Sequence, residues 1–178
     1  MINVSNKEFI EAIFGVDAPW CHVTDFNYDP SNIPEGRHLH AWKGDYFSRY
    51  KMNQGTNQYF TISTFYADGT TARRRKALYR QTHCLVLDDV REKLSEEAAN
   101  KLPKPSWILE SSPGSFQWGY IFETPIESAA KIDNLNDGLI ASELAPDGKD
   151  PGQRGVTRYV RLPEGYNTKQ KKLVDGQP

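Results

Sequence analysis

Two carboxylates stand side by side, Asp88 and Asp89, at the end of the apolar run LVLDDV, Leu85 to Val90. Acids at the point where a buried strand emerges are either a solvated end or a seat for a cation. Two close carboxylates repel, and a bound Mg2+ or Mn2+ removes that penalty through the oxygen ligands that hard cations select. On a regular strand neighbouring side chains point to opposite faces, so both acids serve one site only if the backbone bends between them. Taken alone, such a pair is more often a capped strand end. Downstream, SSPGSFQW, Ser111 to Trp118, places Ser112 and Gln117 at the mouth of a Pro/Gly turn, where they can face a phosphate. In DPGQRGVTRYVRLPEGYNTK, Asp150 to Lys169, Arg158 and Arg161 fall on opposite faces of a strand, so one can bind a triphosphate while the other pairs with a carboxylate. Asn167 and Lys169 are two apart and, if extended, share a face suited to phosphate or a template backbone. The run Arg73, Arg74, Arg75 and Lys76 is either a patch for a polyanion or a solvated loop.

These residues need a scaffold, and the hydrophobic pattern supplies one. Asn6 to Phe14 carries Phe9, Ile10, Ile13 and Phe14 on one helical face. Little periodicity marks Pro19 to Asn57, which reads as loops around a weak strand. Gln58 to Tyr66 and His83 to Asp88 read as strands, the second buried and central. Ser95 to Leu102 predicts a short helix with Ser95 as N-cap, ended by Pro103. Ser106 to Glu110 and Phe116 to Phe122 flank the turn as a hairpin. Glu127 to Leu144 predicts a helix, Asp147 to Gly155 a loop and Val156 to Leu162 a strand. The order gives an α+β fold, a mixed and mainly antiparallel sheet flanked by helices.

With 178 residues, one domain is expected. The 22 basic and 23 acidic residues leave a net charge of −1, so any affinity for nucleic acid must come from local patches. Cys21 and Cys84 fit no zinc spacing and are expected to be reduced thiols. The start, MINVSNKEFIEAIF, lacks the pattern of a signal peptide, and no run reaches the ~20 apolar residues of a membrane span, so a soluble cytoplasmic protein with no membrane partner is expected. The basic end, KQKKLVDGQP, suggests the N-terminal part of a longer polypeptide.

In this order, the three motifs resemble those of the RepB-like primases of plasmids and phages, a branch of the archaeo-eukaryotic primase superfamily, over roughly Gln58 to Lys169. The resemblance implies an RRM-like catalytic core and a primase-polymerase: template-dependent nucleotidyl transfer, as primer synthesis or DNA polymerisation, with two Mg2+ or Mn2+ ions. It implies a single-stranded DNA template, nucleoside triphosphates and a replicative helicase domain or protein as partners. Carried over by motif, Asp88 and Asp89 fall on the first acidic motif, Ser112 and Gln117 on the second, and Asp150 on the third acid, with Asp147 and Glu143 as competitors. Arg161 and Lys169 become triphosphate contacts, with Arg158 behind them and Asn167 beside them, and Arg73, Arg74, Arg75 and Lys76 become a template patch. Two positions depart from the pattern. The usual D-x-D spacing would need an acid where Val90 stands, and Gln117 occupies the place of a nucleotide-contacting His.

Two rivals come from other residues. His38-Leu39-His40, with Tyr46, Tyr50 or Tyr59 as nucleophile, is formally the motif of an HUH nicking endonuclease or relaxase. Trp107, Phe116, Trp118 and Tyr120 would instead be the stacking residues of a non-catalytic RRM-like module for single-stranded nucleic acid.

Overall fold

Helix α1 (Asn6–Phe14) has the span its apolar spacing predicts, and a capping box fixes its start. The Ser5 hydroxyl accepts the Glu8 N–H at 3.3 Å, and the Glu8 carboxylate accepts the Ser5 N–H at 3.0 Å. The computed structural model to which this helix belongs describes residues 4–29, 41–48, 51–69, 73–148 and 153–169.

The described residues form a seven-stranded sheet from β1 (Cys21–Phe26), β2 (Trp42–Lys43), β3 (Asn57–Phe65), β4 (Tyr79–Val90), β5 (Trp107–Ser112), β6 (Ser115–Ile126) and β7 (Tyr159–Arg161). The order is β2-β1-β3-β4-β6-β5, with β7 also on β3, and every strand pair is antiparallel. The edge of β3 opposite β1 is shared: Ser63–Phe65 pair with β4, whereas Tyr59–Thr61 pair with β7. This fork brings β7 beside the ends of β4 and β6, where the acids and Gln117 lie.

Strand β4 is buried on both faces, which is why its sequence runs apolar without alternation. Cys84 and Val86 join α1, Val23, Phe60, Ile62 and Val160 in one core. Leu85 and Leu87 join Trp118, Leu94, Leu144 and Ala99 of α2 (Glu96–Ala99) in a second. The face of β6 that carries Phe116, Trp118 and Tyr120 therefore packs inward: Trp118 is 6% exposed and the other two lie against the same cluster. Trp107 belongs to the first core, its ring edge-on to Phe9 at 5.1 Å. It lies so close over Gly119 that a Cβ there would fall 1.9 Å from the indole. These aromatics are core and not a base-stacking platform, which corrects that rival.

Three predicted elements are shorter than their patterns suggest. The Ser95 hydroxyl caps α2 by accepting the Ala98 N–H at 3.1 Å, but only one turn follows. Helix α3 (Ala129–Leu139) gives way to a wide turn over Ile140–Leu144, where Glu143 takes φ +67°. The break buries Leu144 in the second core. Strand β7 keeps three of the seven expected residues, because only Tyr159–Arg161 find partners on β3. No helix among the described residues is long and apolar enough to cross a membrane.

His22 and His83 are 4% and 3% exposed. Burial, above all, holds each imidazole near a pKa of about 4. Asp17, 3.7 Å from His83, does not reverse this, being engaged by Arg80 at 2.7 Å and Gln81 at 2.8 Å. In the unfolded chain both imidazoles titrate near ~6.5. As pH falls from that value toward 4, the unfolded state takes up protons that the folded state refuses, so stability is expected to drop across this window and to level off below it. Thermal melts from pH 8 to 4 check this. His22→Phe, which suits the stacked contact with Phe65 at 5.1 Å, should remove part of the acid sensitivity without loss at neutral pH.

Candidate functional site

The backbone does bend at the acids. Asp89 takes φ +56° and Arg91 φ +74°, and the β4–β6 register slips between Leu87 and Val90. No glycine makes this turn; aspartate is among the few residues that tolerate the left-handed region. The Asp89 carbonyl then accepts the N–H groups of Glu92, Lys93 and Leu94 at 3.0, 2.8 and 3.1 Å, closing a tight turn. As a result Asp88 and Asp89 both line one cavity of about 140 Å³, together with Tyr59, Glu92, Lys93, Ser111, Ser112, Gln117, Arg161, Asn167 and Lys169.

Asp88 is held from several sides. Its Oδ1 accepts Gln117 Nε2 at 3.0 Å and the Asp89 N–H at 3.0 Å. Its own N–H donates to Gln153 Oε1 at 3.1 Å, and its carbonyl accepts Gln153 Nε2 at 3.3 Å. Gln153, 2% exposed, is thus a backbone clamp, and nothing in its local motif marks it as one. Arg158 stands behind it, donating from Nη1 to the Gln153 carbonyl at 2.8 Å and to Oε1 at 3.1 Å, and does not line the cavity.

Gln117, 1% exposed, links the acid to the cation strand: while Nε2 donates to Asp88, Oε1 accepts the Arg161 N–H at 3.2 Å. Gln117→Leu removes both bonds and leaves a buried N–H without its acceptor. It is expected to cost about 1–3 kcal/mol of stability, and because it unseats Asp88, about 10- to 100-fold in any activity that carboxylate supports. Urea denaturation and turnover of one preparation check the two together.

The Arg161 guanidinium, 6% exposed, donates from Nη1 to Asn57 Oδ1 at 3.3 Å and to the Tyr166 carbonyl at 2.7 Å, and lies over the Tyr59 ring at 4.9 Å. Burial lowers its pKa against the pull of Tyr59, Asp88 and Asp89, but a guanidinium stays charged at neutral pH. Burial raises the Asp89 carboxyl, but the Lys93 hydrogen bond, the charges of Lys93 and Lys169 and a Ser115 hydrogen bond outweigh it, and the group sits below the usual carboxylate range. Asn167 Nδ2 donates to the Ser111 carbonyl at 3.1 Å and its Oδ1 accepts the Lys169 N–H at 3.2 Å, which lays that segment against the hairpin.

Other candidates stand elsewhere. Arg73 pairs with Asp68 at 3.2 Å, Arg74 lies over the Tyr159 ring at 4.2 Å, Arg75 and Lys76 are exposed, and none lines the cavity. Asp150 lies outside the described residues, as do His38, His40 and Tyr50. Asp147 and Glu143 are exposed and do not line the cavity. Tyr46 packs on Trp42 at 5.1 Å, and burial raises the Tyr59 phenol, the reverse of what a tyrosine nucleophile needs.

Among the described residues no three His, Cys, Asp or Glu are grouped to hold a metal. The donors present are nevertheless of the right kind for a magnesium-like ion, which uses one or two carboxylates and completes its shell with water and phosphate. Asp88 Oδ2 accepts no hydrogen bond among the described residues, while Oδ1 accepts two. A larger groove of about 960 Å³ adjoins through Ser111, Ser112 and Asn167, with Lys7, Lys51 and Tyr166 on its walls.

The model of a family described as the RepB DNA-primase N-terminal domain matches residues 36–178. Among solved structures, the chain is similar to the AEP domain of the cyanophage S-2L primase-polymerase, with a TM-score of 0.58 and 16% identity over 86% of this chain and 78% of that one. It is also similar to the catalytic domain of primase Repb' in complex with initiator DNA, with a TM-score of 0.56 and 17% identity over 96% of this chain and 82% of that one. These likenesses show a primase catalytic fold. No curated protein matches the chain.

Proposed function

The chain belongs to the RepB DNA-primase family, and on that premise we propose that it joins nucleotides on a single-stranded DNA template by two-metal transfer, as primer synthesis or DNA polymerisation in phage or plasmid replication. The observation that carries this reading is the bend at Asp89, through which two adjacent carboxylates share one small cavity with Arg161 and Lys169. Asp88 and Asp89 would hold Mg2+ or Mn2+, with Asp150 as the third acid. Ions held there would supply the Lewis acidity that lowers the pKa of an attacking hydroxyl and the charge that offsets a leaving pyrophosphate.

The chain's own residues do the rest. Arg161, fixed by Asn57 and Tyr166, presents an immobile positive charge to the triphosphate, so little ordering is left for the moment of reaction. Lys169 adds a second charge and Ser112 a hydroxyl, while Gln117 keeps Asp88 in place. The adjoining groove is the path we assign to the template because it opens directly onto Ser112; its walls carry Lys7 and Lys51 together with Glu110 and Glu164, so its charge is mixed. Arg73, Arg74, Arg75 and Lys76 extend the template contact outside the cavity, and a helicase domain or protein is the expected partner in replication.

The test is synthesis from labelled nucleotides on single-stranded DNA with Mg2+ or Mn2+. Products of two or more nucleotides that vanish with EDTA are expected. Binding of DNA without any product would instead leave a nucleic-acid-binding module.

A further inference from the structure

The turn that bends the acids into the cavity also returns a cation to one of them. Lys93 Nζ lies 2.5 Å from Asp89 Oδ2, while Ser115 Oγ donates to Asp89 Oδ1 at 3.3 Å. The lysine is fixed at its root, since its backbone N–H donates to the Asp89 carbonyl at 2.8 Å. Its tip is free to leave, because the side chain is 51% exposed against 26% for its partner. Both residues line the cavity that holds Asp88, Arg161 and Lys169.

We propose that Lys93 is the resident counter-cation of Asp89: it competes with a divalent ion for that carboxylate and, when displaced, gives the cavity a third positive charge for a triphosphate. This rests on the reading of the cavity as a metal and triphosphate site. An ammonium and a divalent ion at the same carboxylate oxygen repel, so each weakens the other's hold on it. Once released, the ammonium remains tethered in the cavity that Arg161 and Lys169 also line and can accompany the anion they attract. A lysine that merely decorated the turn would influence neither equilibrium specifically.

Two binding measurements on the whole chain, without turnover, test this. Mn2+ alone is titrated and followed by electron paramagnetic resonance, and inorganic tripolyphosphate is titrated by calorimetry in the presence of Mg2+. Lys93→Ala is expected to bind Mn2+ about fivefold more tightly and tripolyphosphate at least about fivefold more weakly, the scale of a partly exposed ion pair. Lys93→Arg should stay close to wild type in both, and thermal melts should show all three proteins folded. The proposal is overturned if Lys93→Ala binds Mn2+ no more tightly than wild type, or if it binds tripolyphosphate equally well. If wild type and Lys93→Ala both bind no Mn2+ that is lost in Asp88→Asn, the metal-site reading itself fails and takes this inference with it.

Discussion

Asp88→Asn is expected to lower nucleotide transfer by more than about a hundredfold while leaving the protein folded; substitutions one layer behind a metal ligand already cost 10- to 100-fold. Asparagine has the shape of aspartate and keeps an oxygen to accept Gln117 Nε2 and the Asp89 N–H, each at 3.0 Å in the native site. The backbone clamp from Gln153 does not involve the side chain at all. What disappears is the negative charge, the property a hard cation selects. The thermal midpoint should hold or rise slightly, since a repulsion between adjacent carboxylates is relieved. Rates and melts from one preparation decide the matter: activity within tenfold of wild type would remove Asp88 from the centre of the site.

Arg161→Met should be the most damaging substitution for stability and activity together. The guanidinium is 6% exposed and donates to Asn57 Oδ1 and the Tyr166 carbonyl. Its loss leaves those acceptors without their charged donor, at a cost of about 2–3 kcal/mol, and strips the Tyr59 ring of the cation above it. Transfer should fall by more than about a hundredfold as the fixed charge for the triphosphate is lost. Arg161→Lys separates the two effects. It restores charge without the planar fork, so a raised KM for nucleotide with an intermediate loss of stability is expected. Denaturant midpoints and nucleotide dependence measure both. A Met variant as active and as stable as wild type would show that Arg161 only fills space.

Why these residues converge is partly legible in the sequence. The apolar spacing in α1, the unbroken LVL of β4 and the Pro/Gly turn between β5 and β6 each state their element locally, and the structure has all three. Strand β1 was hard to read because its buried positions include polar residues: Thr24 is fully buried and His22 nearly so. The end of α3 was hidden for another reason. Nothing between Ile140 and Leu144 breaks a helix by composition, and it is the second core, taking in Leu144, that turns the chain.

The candidate site divides in the same way. Asp88, Asp89, Ser112, Gln117, Arg161, Asn167 and Lys169, picked out by motif order, all line one cavity. Gln153 and Lys93 carried no signal, because a buried glutamine clamp and a lysine on a turn are defined by where the fold returns them. The bend at Asp89 could be stated only as a requirement, since LVLDDV contains no glycine and an aspartate tolerates a positive φ without demanding it.

The most direct measurement is the anomalous scattering of Mn2+ in crystals grown with a non-hydrolysable nucleoside triphosphate. Mn2+ peaks against the carboxylates of Asp88 and Asp89, with the triphosphate reaching toward Arg161 and Lys169, are the predicted result. Nucleotide bound with no ion at either carboxylate, or ions held elsewhere while this cavity stays empty, would contradict the assignment of these acids as the metal centre.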